Sequence, residues 1–472
     1  MNEKDDFEAD FARVARWIVR YFRHPERYRV MPEVRPGDVR RRLPERAPER
    51  GESFDRIFDD FERIVVQGTT HWNHPRFFAY FATSSAPVAI LAEALSATLD
   101  VKAMLWRTSP SATELEEVTM RWLGTLLGVP DGWMGIIYDT ASIAGFTALA
   151  AAREALDLGI RRLGMTGRDL PRLRVYITEH THSHVEKAAI ALGIGQENVV
   201  RVACDAAFRM RPDALQQCIA DDVAAGMRPL ATIATVGTTS TTSIDPVPEI
   251  ADVTERSRVW LHVDAAYAGM AAIVPEFANL LDGVARADSL VVNPHKWLFV
   301  PMDLSVLFVK DEALLRRAFA LVPEYLTTPE GDAVNYMDYG LQLGRRFRAL
   351  KLWFVLRWFG VEGIREKLRA HIGLAQTFAG WVRDDPDWEI LAPHPLSVVC
   401  FRYRAVEPGA LDEFNERLMH AVNATGEIFI SHTRIEGVFA LRLAIGNLRT
   451  ERADVEFAWD LLRRTAATLR AA

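Results

Sequence analysis

The sequence predicts an α/β fold: a mostly parallel sheet in a large domain, an N-terminal helical arm and a small C-terminal α+β domain. Three observations predict it. Apolar, β-rich runs at residues 174–177, 231–236, 259–263, 289–292 and 304–309 alternate with helical stretches. Uninterrupted apolar strands separated by helices indicate a parallel sheet covered on both faces. The 472 residues also exceed the roughly 250–300 at which a single core stops growing. After Gly344 the pattern changes to helices, then a strand at 396–403, a helix at 411–422, strands near Ile428 and at 439–444, and a helix at 452–469. That order reads as a separate antiparallel module. The expected division is an arm at 1–85, a large domain at 86–352 and a small domain at 353–472.

In the arm, Phe7, Phe11, Val14, Ile18 and Phe22 recur at helical spacing. A Pro- and Arg-rich connector follows over 25–51. Ser53 reads as the N-cap of a second amphipathic helix carrying Phe54, Ile57, Phe58, Phe61, Ile64 and Val65. Two such helices cannot bury their apolar faces alone, so they wrap a larger body or a second subunit. In the large domain, Ser111-Ala-Thr-Glu114 reads as a capping box opening a helix to about Gly128. A helix is expected over 143–156, another from Arg345 to about Phe359, and the next from near Val361.

Composition excludes several classes. With 49% hydrophobic and 25% charged residues the chain is neither disordered nor low-complexity. A net charge of −7 argues against nucleic acid as a partner. The acidic start lacks the features of a signal or transit peptide, and no apolar run approaches the ~18 residues of a membrane span. Cys204, Cys218 and Cys400 are too scattered for a disulfide framework or a zinc site, which predicts free thiols in the cytoplasm. The chain uses seven lysines against 49 arginines, so arginine is its expected surface cation and a lysine in an apolar setting calls for a chemical reason.

Lys296 is such a lysine, in Ser289-Leu-Val-Val-Asn-Pro-His-Lys296-Trp-Leu-Phe-Val. Desolvation favours a neutral amine, which attacks an aldehyde to form a Schiff base; arginine stays protonated and cannot. A lysine snorkelling at a loop rim fits the segment equally. Asp264 ends Val259-Trp-Leu-His-Val-Asp264-Ala-Ala-Tyr-Ala-Gly, a strand whose carboxyl end is where α/β sheets bind ligands. There it either holds a protonated ring nitrogen, with small residues such as Ala266 admitting a flat ring, or caps the next helix. Together, a pyridine-nitrogen carboxylate and a Schiff-base lysine are the pair that pyridoxal phosphate chemistry requires. Asp139-Thr140-Ala141-Ser142 precedes a helix, whose N-terminus suits a phosphate or ordinary capping, and His295 offers a further donor. His180, His182 and His184 alternate after the strand at 174–177. No carboxylate or cysteine cluster accompanies them, so an imidazole stacked on a ring is preferred to a metal site.

Further blocks extend these: Thr70-His-Trp-Asn-His-Pro-Arg-Phe-Phe-Ala-Tyr-Phe, Ser109-Pro-Ser-Ala-Thr-Glu-Leu-Glu, Asn293-Pro-His-Lys-Trp and Leu343-Gly-Arg-Arg-Phe-Arg. With them the chain resembles the group II pyridoxal-phosphate decarboxylases, most closely the aromatic L-amino-acid decarboxylases, from Phe11 nearly to the C-terminus. The resemblance implies a fold-type-I (aspartate aminotransferase-like) architecture and a homodimer with its active site at the interface. It implies that Lys296 carries the cofactor as a Schiff base, Asp264 pairs with the pyridine nitrogen and His182 stacks on the ring. Thr140, Ala141, Ser142 and His295 hold the phosphate with Asn293 assisting, and Thr239 lies near the ring substituents. Tyr325 matches the tyrosine of a mobile catalytic loop running to about Asn335, and serves as the general acid. Tyr80, Ala82, Thr83, Lys102 and Met104 fall on substrate-facing segments, the last two on one given to the partner's pocket.

The activity implied is decarboxylation of Trp, Tyr, Phe or Dopa to the arylalkylamine. Tyr325 favours the amine, since phenylalanine replaces it in relatives that make aldehydes. Gly344 favours a bulky aromatic substrate, since serine replaces it in animal histidine decarboxylases. Ala82, Lys102 and Met104 depart from the animal pattern of proline, apolar and aromatic residues. The alternatives are an aromatic acetaldehyde synthase, a decarboxylase of a non-aromatic amino acid such as glutamate or histidine, and a non-catalytic cofactor-binding regulator. The last would call for a helix-turn-helix or a basic patch, and the sequence has neither.

Overall fold

The computed structural model describes residues 6–321 and 333–471. Seven strands form the large sheet: β1 (Met134–Tyr138), β2 (Leu173–Ile177), β3 (Val199–Arg201), β4 (Arg228–Thr235), β5 (Trp260–Asp264), β6 (Ser289–Val292) and β7 (Ser305–Val309). Their order is β1-β7-β6-β5-β4-β2-β3, with β7 antiparallel to both neighbours and the remaining pairs parallel. Six strands therefore end on the same edge. β5, β6 and β7 are buried along their whole length, as their largely apolar content, mostly Val and Leu, requires of strands covered on both faces. Full burial of each such side chain is worth roughly 1.5–3 kcal/mol.

Small residues bring one helix close to this sheet. Ala141–Ala155 buries Ala144, Ala148, Ala151 and Ala152, and it packs on β4, β6 and β7. Its N-terminus, with Thr140 at the N-cap position and no side-chain capping bond, follows directly from the end of β1. The helix Ala349–Asp384 breaks at Gly360, where φ of 61° requires glycine. It runs on to a second sheet, antiparallel throughout, in the order β10-β11-β9-β8. Its strands are β8 (Trp388–Ile390), β9 (Val398–Tyr403), β10 (Ser431–Ile435) and β11 (Val438–Ala444). A fold-type-I architecture with a mostly parallel sheet and a small antiparallel C-terminal sheet is what the sequence predicts.

The N-terminal helix Phe7–Arg23 has no buried residue. It rests on the helix Phe54–Asp60 and the turn after it through Arg13 on Asp59 (2.7 Å) and Trp17 edge-on to Phe61 (5.0 Å). Phe22 lies under the Arg449 guanidinium at 3.7 Å. Phe7 is 72% and Phe11 50% exposed, so this face remains open. No helix among the described residues is long and apolar enough to cross a membrane.

Several local expectations need correction. The helix expected from Ser111 begins at Pro110 with Ser109 as N-cap. Proline presets the first-turn φ and lacks an N–H that would be unpaired there anyway. The helix expected from Arg345 begins at Ala349, because the Arg345 carbonyl accepts the Ala103 N–H (2.9 Å) and is taken out of helix pairing. Ile428 is buried but lies outside a strand: the Phe429 carbonyl accepts from Phe78 (2.8 Å), Asn423 brackets the Ile430 backbone, and β10 starts at Ser431. The connector at 25–51 contains a short helix, Asp38–Arg42. β1, β3 and β8 were not expected. Nor is arginine confined to the surface, since Arg345, Arg348 and Arg442 are buried.

Candidate active site

Five strand ends build one cleft. β1 leads into Thr140, β2 into the His180–His184 turn, β4 into the loop 237–243, β5 ends on Asp264, and β6 leads through Asn293 to Lys296. The inner recess, about 180 Å3, is lined by Thr140, Ala141, Ser142, His182, Thr239, Asp264, Ala266, Asn293, His295 and Lys296, together with Phe81, His184, Thr235, Gly237 and Tyr267. Every residue expected to hold the cofactor is therefore in it. It opens into an outer cavity of about 650 Å3, and the two share Phe81, His182, Thr239, His295 and Lys296.

Each group is held in a defined state. Burial pushes the Lys296 amine below the ordinary lysine range against the attraction of Asp264, and Arg442 adds to the depression. The amine makes no hydrogen bond among the described residues and lies 5.0 Å over the Phe81 ring. Burial pushes the Asp264 carboxyl up, but His184, Lys296, His262 and the Ala266 N–H together outweigh it and hold it below the usual range. The Asp264 carboxylate accepts only the Ala266 N–H (3.1 Å) among the described residues, which leaves its second oxygen free for the recess. Burial, then the Lys296 charge, lowers His182. The His184 N–H donates to His182 Nδ1 (3.2 Å), so the proton of His182 sits on Nε2. His295 is pushed down to about 4 by burial and by Lys296. Leu304 N–H occupies its Nδ1 (3.0 Å), so it offers a neutral Nε2–H donor. Asn293 accepts from Ser305 Oγ (2.6 Å), and its amide N–H groups remain available.

This arrangement fits pyridoxal phosphate. The first N–H groups of the helix Ala141–Ala155 have no acceptor within the helix and take an anion without a cation. An unpaired carboxylate oxygen, an unbonded amine and the orphaned, buried Thr235 hydroxyl are the kinds of group a heteroaromatic aldehyde satisfies.

The family comparison agrees with that geometry. A model of the pyridoxal-dependent decarboxylase conserved domain matches residues 36–404. The chain belongs to the pyridoxal-dependent decarboxylase family. Its cofactor is pyridoxal phosphate and the enzyme is a carboxy-lyase. It is 40% identical to tyrosine decarboxylase 2 of Arabidopsis thaliana over 94% of this chain and 83% of that protein. It is 39% identical to phenylacetaldehyde synthase of Arabidopsis thaliana over 96% of this chain and 94% of that one. A crystal structure of Oryza sativa TDC with PLP and tryptamine superposes with a TM-score of 0.95 at 36% identity, covering 99% of each chain.

The expected substrate residues separate into two groups. Tyr80 and Thr83 line the outer cavity. Ala82 is buried behind it, where its carbonyl leaves no room for a side chain at residue 446 (2.5 Å to a Cβ on Gly446). Lys102 pairs with Asp100 at the surface (2.8 Å), Met104 packs against Leu105 and Met337, and Gly344 is exposed; none of the three lines the cleft of its own chain. Tyr325 and most of the loop assigned to it lie outside the described residues.

Sequence reasoning missed Phe81, Trp72 and Arg442. Phe81 stacks on Tyr267 (3.8 Å) and Tyr267 on Trp297 (4.7 Å), an aromatic pile that floors the cleft beside Lys296. Trp72 stacks on Tyr80 at 5.7 Å. Arg442 is 3% exposed and reaches the cavity with a buried, unpartnered Nη2. It was legible by the test applied to Lys296, being a cation inside the apolar run Phe439-Ala-Leu-Arg442-Leu-Ala-Ile.

Proposed function

We propose that this enzyme decarboxylates an aromatic L-amino acid, Trp, Tyr, Phe or Dopa, to the arylalkylamine and carbon dioxide. The observation that carries the reading is the convergence of Lys296, Asp264 and His182 in one recess opening into a cavity walled by Trp72, Tyr80 and Phe81. Flat aromatic walls suit a flat aromatic side chain. Tyrosine decarboxylase 2 and the tryptamine-bound TDC point the same way, while the phenylacetaldehyde synthase shares the aromatic class but names the aldehyde alternative.

Bound pyridoxal phosphate supplies an aldehyde for the substrate amine and a ring that accepts the electrons released with carbon dioxide. In this reading Lys296 provides the amine that anchors the aldehyde, and Asp264 provides a fixed negative charge that keeps a proton on the ring nitrogen. His182 covers the ring face. Ala266 leaves space beside Asp264. Thr140, Ala141, Ser142, Asn293 and His295 donate to the phosphate, and Thr239 faces the ring edge. Tyr325 supplies the proton that replaces the carboxylate. Tyr325→Phe is expected to turn the product from amine to aldehyde, with dissolved oxygen reduced to peroxide and the nitrogen released as ammonia, read by mass and a peroxide assay; an unchanged amine product contradicts this role.

The reading includes a homodimer. Lys102, Met104 and Gly344 lie side by side outside their own cleft: the Ala103 N–H donates to the Arg345 carbonyl (2.9 Å) and Arg345 Nη1 to the Ala103 carbonyl (3.0 Å). Nearby, Leu91, Leu95 and Leu99 form an exposed apolar stripe at a spacing of four on the helix Pro87–Leu99, with Leu341 and Leu343 also exposed. Such a surface suits a second copy, to whose cavity this edge brings Lys102 and Met104. Leu95→Arg is expected to yield an inactive monomer by gel filtration and assay; an active monomer contradicts the shared site. The same proposal assigns the arm (1–85) to the partner's surface, the cofactor to 86–352 and a supporting role to 353–472. Three free cysteines fit a reducing cytoplasm.

A further inference from the structure

The loop 237–243 carries Thr239 at the junction of recess and cavity and is a rigid body. The Gly237 and Thr238 N–H groups both donate to the Ser243 carbonyl (3.0 Å each), and Thr242 N–H donates to the Thr238 carbonyl (2.9 Å). Thr241 Oγ1 bonds both Thr238 Oγ1 (3.0 Å) and Ser243 Oγ (2.7 Å). Gly237 has φ of +89°, and a Cβ there would meet that of Ala268 at 2.5 Å, so the loop root cannot shift inward. A body of this kind moves as a unit or not at all.

Ser240, next to Thr239, is gripped by three strands of the other sheet. Cys400 on β9 donates its S–H to the Ser240 carbonyl (3.2 Å). Arg442 Nε on β11 donates to the same carbonyl (3.1 Å). Thr433 Oγ1 on β10 donates to Ser240 Oγ (2.8 Å). The same strands hold a second lining segment: Ser431 Oγ accepts the Tyr80 N–H (3.1 Å), and Arg442 Nη1 donates to the Tyr80 carbonyl. Tyr80 itself has φ of 54°, a conformation a non-glycine residue keeps only when its surroundings impose it.

We propose that the C-terminal sheet is the positioning element of the substrate cavity, with Thr433 and Ser240 acting as one unit that sets where Thr239 stands relative to Tyr80. The inference rests on the aromatic decarboxylase reading above. Arg442 binds both the Ser240 and the Tyr80 carbonyls, so the strands β10 and β11 fix these two lining segments relative to one another, and the shape available to a substrate ring is set by residues remote in sequence from the cofactor lysine.

The test is a double-mutant cycle in the holoenzyme. Ser240→Ala and Thr433→Val each remove the hydroxyl pair, and each is expected to raise KM about five-fold, the worth of one net hydrogen bond, with kcat little changed. Because the two act through each other, the double variant is expected to match either single, whereas independent contacts would multiply to about 25-fold. Binding of the methyl ester of the preferred amino acid, which has no free carboxylate to lose, followed by cofactor absorbance, should weaken by the same factor. Thr433→Ser, which keeps the hydroxyl, should restore both values. Multiplying effects, an unchanged KM in the single variants, or a Thr433→Ser enzyme as impaired as Thr433→Val each overturn the proposal while leaving the decarboxylase reading intact. A wild-type enzyme that turns over no aromatic amino acid and binds none of their esters overturns that reading, and this inference with it.

Discussion

Lys296→Ala is expected to abolish turnover, with a loss of at least about 10^4-fold in kcat, and to remove the visible absorbance of the lysine-bound cofactor. The amine is buried and depressed below the ordinary lysine range by desolvation, which favours the neutral, nucleophilic form. It has no hydrogen bond that would give it a structural task among the described residues. Lys296→Arg separates charge from nucleophilicity. It keeps the cation near Asp264 but cannot deprotonate, so it is expected to be as inactive as the alanine variant. An arginine variant retaining a tenth of wild-type activity would mean that Lys296 acts as a charge and not as the anchoring amine. Both proteins should still unfold cooperatively, since the side chain borders an open cleft and leaves no closed void.

Asp264→Asn carries the second largest expected effect, a fall of about 10^3-fold in kcat, comparable to removing one aligned electrostatic partner of a transition state. Asparagine keeps the shape and can still accept the Ala266 N–H, so the change isolates the charge. Asp264 stays ionised well into acid, because its neighbours hold its pKa below the usual carboxylate value despite burial. The deficit of Asp264→Asn should therefore be uniform across about pH 6–8. The linkage has the same sign: a folded pKa below the unfolded one contributes stability at neutral pH, and that contribution is lost only as the pH falls through the folded value. A deficit confined to the acid or the alkaline limb would assign the charge requirement to another group.

The legible parts of the fold and site were those in which local sequence and tertiary role coincide. β5 and β6 read correctly because both their faces are buried, so the runs between their end residues are apolar on both faces apart from His262. Asp264 and Lys296 stand out because they interrupt or follow such runs. β1 was hidden by Gly135, which is required because a Cβ there would meet Met120 and Phe308 at 2.8 Å. β3, at three residues, is too short to carry a period. The lysine argument alone does not discriminate. Lys351 is more deeply buried than Lys296, yet it is consumed by an ion pair with Glu93 and a bond to the Pro301 carbonyl (2.9 Å). Only the spatial partners separate a structural lysine from a chemical one. Arg345 shows the same from the other side: it and Glu116 each lie in a quoted sequence block, but nothing in either block shows that the two form a buried pair (2.6 Å). Phe81 and Arg442 meet at 4.9 Å across most of the chain length, a contact no local pattern contains.

The most direct test of the central claim is one incubation. The pyridoxal phosphate-loaded enzyme is given an equimolar mixture of L-Trp, L-Tyr, L-Phe, L-Dopa, L-His and L-Glu, with products identified by mass and peroxide assayed in parallel. The account predicts an arylalkylamine without peroxide, from one or more of the four aromatic amino acids. Histamine or 4-aminobutyrate as the main product, or an aldehyde accompanied by peroxide, would contradict it.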